Sequence, residues 1–212
     1  RLGGVIIEPL QRNGIAACAK HFPGHGDTRA DSHHELPVVE HPPERLREHE
    51  MAPFRAAIAA DVATVMTAHV LYPALDDEQP ATLSRTIVDD ILRRELGHQG
   101  LVVTDDLDMG AITVSHTVEQ AAVRALDAGC DTVLVCGDSI ERHAAVIEAI
   151  IHAVETDELD GRRLEKAQLR QQRVKARFMG GERPRRPLSG KALRARLGTA
   201  LHQAAAEEIA RA

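Results

Sequence analysis

Four histidines and two aspartates fall within the fifteen residues Lys20 to His34, KHFPGHGDTRADSHH. No helix runs through Phe22-Pro23-Gly24, so the stretch reads as a loop. A loop this dense in titratable groups has no obvious packing purpose and marks a site. Asp31 stands two residues before His33. An aspartate so placed can orient an imidazole and stabilise its charged form, giving a general acid/base near neutral pH. Spacing alone leaves open the plainer reading of a solvated polar loop. A metal set drawn from His21, His25, Asp27, Asp31, His33 and His34 is weaker. Pro23-Gly24 removes the helix that would align His21 with His25, and no Cys or Glu follows at a ligand spacing.

A second cluster is Thr104-Asp105-Asp106, which follows the apolar run Leu101-Val102-Val103. A carboxylate at a strand end can be a nucleophile, a metal ligand or an N-cap, and all three stay open at this point. No glycine-rich phosphate loop of either common type occurs. Cys18 and Cys136 lie inside apolar runs and read as buried thiols. Three cysteines do not make a disulfide framework.

These groups need a scaffold. Residues 4–13 have helical spacing closed by Asn13-Gly14. Short apolar runs over 15–20, 62–70, 101–110 and 130–138 read as buried strands. Between and after them, helices are predicted over 44–60 (with a kink at Pro53), 85–96 (capped by Ser84), 117–128, 139–156 and 160–178. Alternating short apolar strands and amphipathic helices imply a parallel sheet covered by helices. An eight-stranded (β/α) barrel and an open doubly wound sheet both fit. In either fold, chemistry sits at the C-terminal ends of strands. Lys20-His21, His69 and Asp105-Asp106 all fall there. Residues 180–190 are a Gly/Pro/Arg linker whose arginines read as solvated, and 191–212 are Ala-rich and predicted helical.

Composition narrows the partners. The chain has 212 residues, 43% hydrophobic and 27% charged, as a soluble globular protein does. Aromatics are 2% and the net charge is −6. Both argue against a nucleic-acid partner, which needs stacking platforms and a basic surface. No apolar stretch reaches the ~18 residues of a membrane span.

Lys20-His21-Phe22-Pro23-Gly24-His25-Gly26-Asp27-Thr28 with Asp31-Ser32-His33 resembles the signature loop of family 3 glycoside hydrolases, in its β-N-acetylglucosaminidase (β-N-acetylhexosaminidase) branch. The resemblance continues through Val65-Met66-Thr67-Ala68-His69, Pro80-Ala81-Thr82-Leu83-Ser84, Leu101 to Met109 and Ala128-Gly129-Cys130-Asp131. It covers roughly residues 5–178.

The resemblance implies an α/β (β/α)8 TIM barrel of which this chain holds the last four βα units (1–179), plus a linker and helical tail (180–212). It implies a retaining exo-glycosidase acting on β-linked N-acetylglucosamine saccharides, such as peptidoglycan turnover fragments, without metal or organic cofactor. Asp105 would be the nucleophile, His33 the general acid/base and Asp31 its orienting partner. Lys20 and His21 would bind sugar hydroxyls, with Met109 nearby. Asp105 is preferred to Asp106 because it directly follows the strand. A phosphorylase of the same family and a catalytically dead remnant are the alternatives. No nucleic-acid or membrane partner is implied, and the cytoplasm is the expected compartment. His98 replaces an aromatic residue often found after Gly97. Half a barrel on its own exposes strand edges and is expected to fold poorly or self-associate.

Overall fold

A computed structural model of the chain describes residues 2–28, 30–180 and 189–211. Its contacts separate two units, Arg1–Gly180 and Gly181–Ala212. In the first unit four parallel strands form one sheet in the order β1-β2-β3-β4: β1 Cys18–Phe22, β2 Thr64–Thr67, β3 Leu101–Asp106 and β4 Thr132–Leu134. Sequential order in a parallel sheet means every connection crosses the same way, which is how a (β/α) barrel is built.

Helix α1 spans Leu2–Arg12 and precedes β1. The predicted 44–60 helix is interrupted: α2 (Pro43–Arg45) runs into a π-helical stretch (Leu46–Glu50), and α3 (Ala52–Ala59) restarts after Met51. Pro53 sits in the first turn of α3, where its missing N–H costs nothing, so the break precedes the proline. A second π-helix covers Thr86–Glu95, and its first turn is held by Ser84, whose Oγ accepts from the Ile87 N–H at 3.1 Å. Four helices follow in the order α4 (Gly110–Thr113), α5 (Val118–Ala128), α6 (Ile140–Glu155) and α7 (Gly161–Met179). Thr117 and Gln120 form a capping box at the start of α5, and Gly129, at φ 115°, ends it.

Three readings are corrected. β1 begins at Cys18 and takes in Lys20, His21 and Phe22, so part of the histidine stretch is strand, not loop. Alanine is a poor strand former, and pairing with β2 begins only at Cys18 opposite Thr64. The strands are not buried on both faces. Along β2 and β3 buried and half-exposed residues alternate: Val65, Thr67, Val102 and Thr104 lie under the helices, while Thr64, Met66, Leu101 and Val103 face the open side. That open side is the one a closed barrel would turn inward. Cys18 and Cys136 are exposed, whereas Cys130 is buried. Cys18 lies on the edge strand, and Cys136 follows the end of β4.

Helix α7 runs along the N-terminal ends of the strands. Arg170 reaches Asp131 at 2.8 Å and Gln171 reaches Thr132 Oγ1 at 2.8 Å, both at the start of β4. Farther along, Arg177 reaches Asp61, just before β2, at 2.8 Å. The second unit contains α8 (Gly190–Arg194) and α9 (Ala200–Arg211). Most of the predicted linker, 181–188, lies outside the described residues. No described helix is long and apolar enough to cross a membrane.

Candidate active site

At the C-terminal end of the sheet a cavity of 550 Å³ is lined by Lys20, His21, His25, Gly26, Asp31, Ser32, His33, Asp105 and Met109. All six residues singled out from the sequence lie on its wall. They come from β1, from the loop after it, and from β3 with its following turn.

Asp105 and Asp106 end β3, but successive strand side chains point to opposite faces. Asp105 lines the cavity, and its Oδ2 lies 3.4 Å from His21 Nε2. The Asp106 carboxylate is spent on the backbone, accepting from the N–H groups of Cys136 at 3.0 Å and Asp108 at 3.1 Å. Both acids belong to the strand, so the order of the two along the chain is not what separates them; the face is. His21 is held below the usual histidine pKa, chiefly by burial, against the opposing pull of Asp105. That direction favours the neutral ring, which offers one N–H and one lone pair.

The Asp31–His33 pair is formed. Asp31 Oδ1 lies 2.7 Å from His33 Nδ1 and also accepts the His33 backbone N–H at 2.9 Å. The backbone bond first, then the ring, hold the Asp31 carboxyl below the ordinary carboxylate range. With Nδ1 turned to the carboxylate, Nε2 is the nitrogen left to exchange protons. Behind the pair, His25 Nε2 contacts Ser32 Oγ and its Nδ1 contacts Thr28 Oγ1, each at 3.0 Å. The tip of the loop is docked on the turn after β3: the Gly110 and Ala111 N–H groups donate to the His33 and Ser32 carbonyls, both at 3.1 Å. A side chain at Gly110 would meet two backbone oxygens of the loop, the His34 carbonyl at 2.6 Å and the His33 carbonyl at 2.7 Å.

Sequence reasoning missed His25, Ser32 and Gly110 as parts of this site. The glycine had a readable signal, because it sits four residues beyond a loaded strand end. His69, expected at a strand end with the chemistry, is buried and does not line the cavity. Its Nε2 meets the Asp106 carbonyl at 2.9 Å and its Nδ1 meets Thr82 Oγ1 at 2.8 Å, tying β2 to β3. The six-residue metal set is not assembled. Among the described residues the one set whose ligand atoms lie within 4.8 Å of one another is Asp27, His41 and Glu50.

Comparison with known proteins gives the family. Residues 1–174 match the family model for the glycosyl hydrolase family 3 N terminal domain. A beta-hexosaminidase of Bordetella pertussis is 46% identical over 135 residues, covering 64% of this chain and 38% of that protein. The solved structure of a glycoside hydrolase family 3 beta-N-acetylglucosaminidase from Paenibacillus sp. str. FPU-7 superposes with a TM-score of 0.84 at 45% identity, over 89% of this chain and 36% of that one. A beta-glucoside phosphorylase, BglX, superposes with a TM-score of 0.80 at 25% identity, over 94% of this chain and 37% of that one. The chain thus spans less than half the length of each of these relatives, with four parallel βα units of their barrel fold. It belongs to glycoside hydrolase family 3.

Proposed function

We propose that the protein is a retaining exo-glycosidase that releases terminal β-linked N-acetylglucosamine through a covalent glycosyl-enzyme. The carrying observation is that one cavity joins the Asp105 carboxylate to a formed Asp–His pair on a separate loop. Asp105 attacks the anomeric carbon while His33 protonates the departing glycosidic oxygen. His33, now neutral, then takes a proton from water, whose oxygen attacks the same carbon and frees Asp105. Asp31 keeps Nδ1 engaged and steadies the imidazolium that donates in the first step and re-forms in the second. Neutral His21, Lys20 and Met109 bound the space beside Asp105 and are the groups in reach of sugar hydroxyls and the ring. The names of the hexosaminidase and N-acetylglucosaminidase relatives support the substrate class.

The test is turnover by the natural protein containing these residues. Asp105→Ala is expected to lower kcat at least about a thousandfold with every leaving group, as loss of a nucleophile does. His33→Ala is expected to cost about a hundredfold on an unactivated saccharide and far less on an aryl glycoside whose leaving group needs no proton. Near-normal activity of Asp105→Ala sinks the assignment.

A second reading, phosphorolysis, has one observation in its favour, the superposition on a beta-glucoside phosphorylase. A neutral imidazole also repels an anionic acceptor less than a carboxylate would. Products formed in phosphate buffer decide: sugar 1-phosphate for phosphorolysis, free sugar for hydrolysis.

A further inference from the structure

The loop that carries Asp31 and His33 leaves β1 at Pro23 and returns to α2 at Pro43. Near its start stands Asp27 and near its end His41, fourteen residues on. The two meet across the base: His41 Nε2 lies 2.5 Å from Asp27 Oδ2. Arg45, from the last turn of α2, donates to the same oxygen at 3.1 Å. The Arg45 Nε also lies 3.5 Å from Glu50 Oε1. Glu50 is largely buried, with its side chain 11% exposed. It packs under Gly24, whose missing side chain would meet Glu50 Cβ at 2.8 Å. Gly24 takes φ 145°, open to glycine alone, and its carbonyl accepts from the Tyr72 hydroxyl at 2.6 Å. The chain is thus anchored before, across and after the loop.

We propose that Asp27, His41, Arg45 and Glu50 form a latch that closes the base of the loop, making them positioning residues for proton transfer by His33. The proposal rests on the glycosidase reading for its consequence, though not for its geometry. None of the four lines the cavity that holds Asp105 and His33. Asp27 and Glu50 line an adjoining cavity that shares Lys20, His21, His25 and Gly26 with it, so they act on His33 by holding the loop and not by touching the reacting atoms. A proton donor must sit within hydrogen-bond reach of the oxygen it serves, and small displacements are costly. The carboxylates of Asp27 and Glu50 flank the guanidinium of Arg45, so the network carries its own counter-charge. That arrangement favours a latch over a cation site, although Asp27, His41 and Glu50 could between them supply ligand atoms.

Two readouts test this, and they fail separately. Hydrogen exchange follows the backbone. In Arg45→Ala the amides of His34 and Glu35, which donate to the Asp31 carbonyl, are expected to exchange about tenfold faster, with β2 and β3 unchanged. Arg45→Lys, which keeps the charge, is expected to recover most of the protection. Asp27→Asn is expected to resemble Arg45→Ala. Turnover follows the consequence. Arg45→Ala is expected to lose about tenfold in kcat on an unactivated saccharide and less than about twofold on an activated aryl glycoside, because only the first needs a placed proton. Unchanged exchange in both Arg45→Ala and Asp27→Asn overturns the latch. Equal losses on the two substrates overturn its role in proton transfer and leave only a structural tie. Wild-type protein with no turnover of either substrate overturns the glycosidase reading, while the exchange result still stands. Zn2+ that slows exchange of this loop in the wild type, but not in Asp27→Asn, overturns the latch in favour of a metal site.

Discussion

Adjacent aspartates at the end of β3 face opposite ways. Asp105 keeps its carboxylate in the cavity, with Oδ1 accepting the Asp106 N–H at 2.9 Å; Asp106 uses its own to fasten the backbone after β4 and its own turn. Asp106→Ala is therefore expected to act on stability before activity. The partly buried Asp108 N–H and the exposed Cys136 N–H lose a charged acceptor, at a cost of about 1–3 kcal/mol. The urea midpoint is the measurement, and an unchanged midpoint would contradict the assignment. The sequence shows the pair of acids and the strand before them. It does not show which acid faces the site, because the strand end varies by a residue or two and each residue of slippage inverts the answer. The Asp31–His33 pair was more legible, since both of its contacts are local. His25 was not, because its partner Ser32 is chosen by the course of the loop.

At the scale of elements, α7 and the helix–strand joints set the frame. Asp131, at the start of β4, is nearly fully buried and serves three donors. It pairs with the buried Arg93, accepts the Val102 N–H at 2.8 Å and meets Arg170 at 2.8 Å. Asp131→Asn leaves the Arg93 guanidinium without a counter-charge and is expected to cost about 3–5 kcal/mol, read by urea unfolding. His98, 2% exposed, lies beside this network, and burial lowers its pKa to about 4. Unfolded, it would titrate near 6.5. As pH falls below that value the unfolded chain takes up a proton that the folded chain refuses. Stability is therefore full above about 6.5 and falls steadily toward about 4, by roughly 3 kcal/mol from this group. Buried His69 acts in the same direction. His98→Phe is expected to flatten, without abolishing, the slope of the unfolding midpoint between pH 6.5 and 4. A slope identical to wild type would show that His98 does not titrate this way. The predicted segments found these helices within a few residues, because capping and glycine signals are local. The π-helical stretches were not legible, since their register depends on what they pack against.

For the first unit as a whole, the alternation of apolar runs and amphipathic helices was enough to read four parallel βα units. It could not reveal that one face of the sheet is open, because the same apolar run serves a strand covered on one side or two. Exposed aliphatic side chains flank both edges of the sheet. Val5 and Ile6 lie on α1, with Ile15 between it and β1; Ile140, Ile147 and Ile151 lie on α6, after β4. The last three share one face of their helix by spacing. Uncovered strand edges bordered by such stripes favour association. The 212-residue chain by itself is expected to show a mass above monomer in light scattering that rises with concentration. A single monomeric species with a cooperative melt would contradict this.

The run of α7 along the N-terminal ends of the strands has a practical corollary. Lys166 and Lys175 are exposed on that helix, on the far side of the sheet from the cavity. Coupling a dye or a solid support through these two lysines, with Lys20 masked by an occupant of the cavity and Lys191 of the second unit replaced by arginine, would leave the mouth of the site facing the bulk liquid.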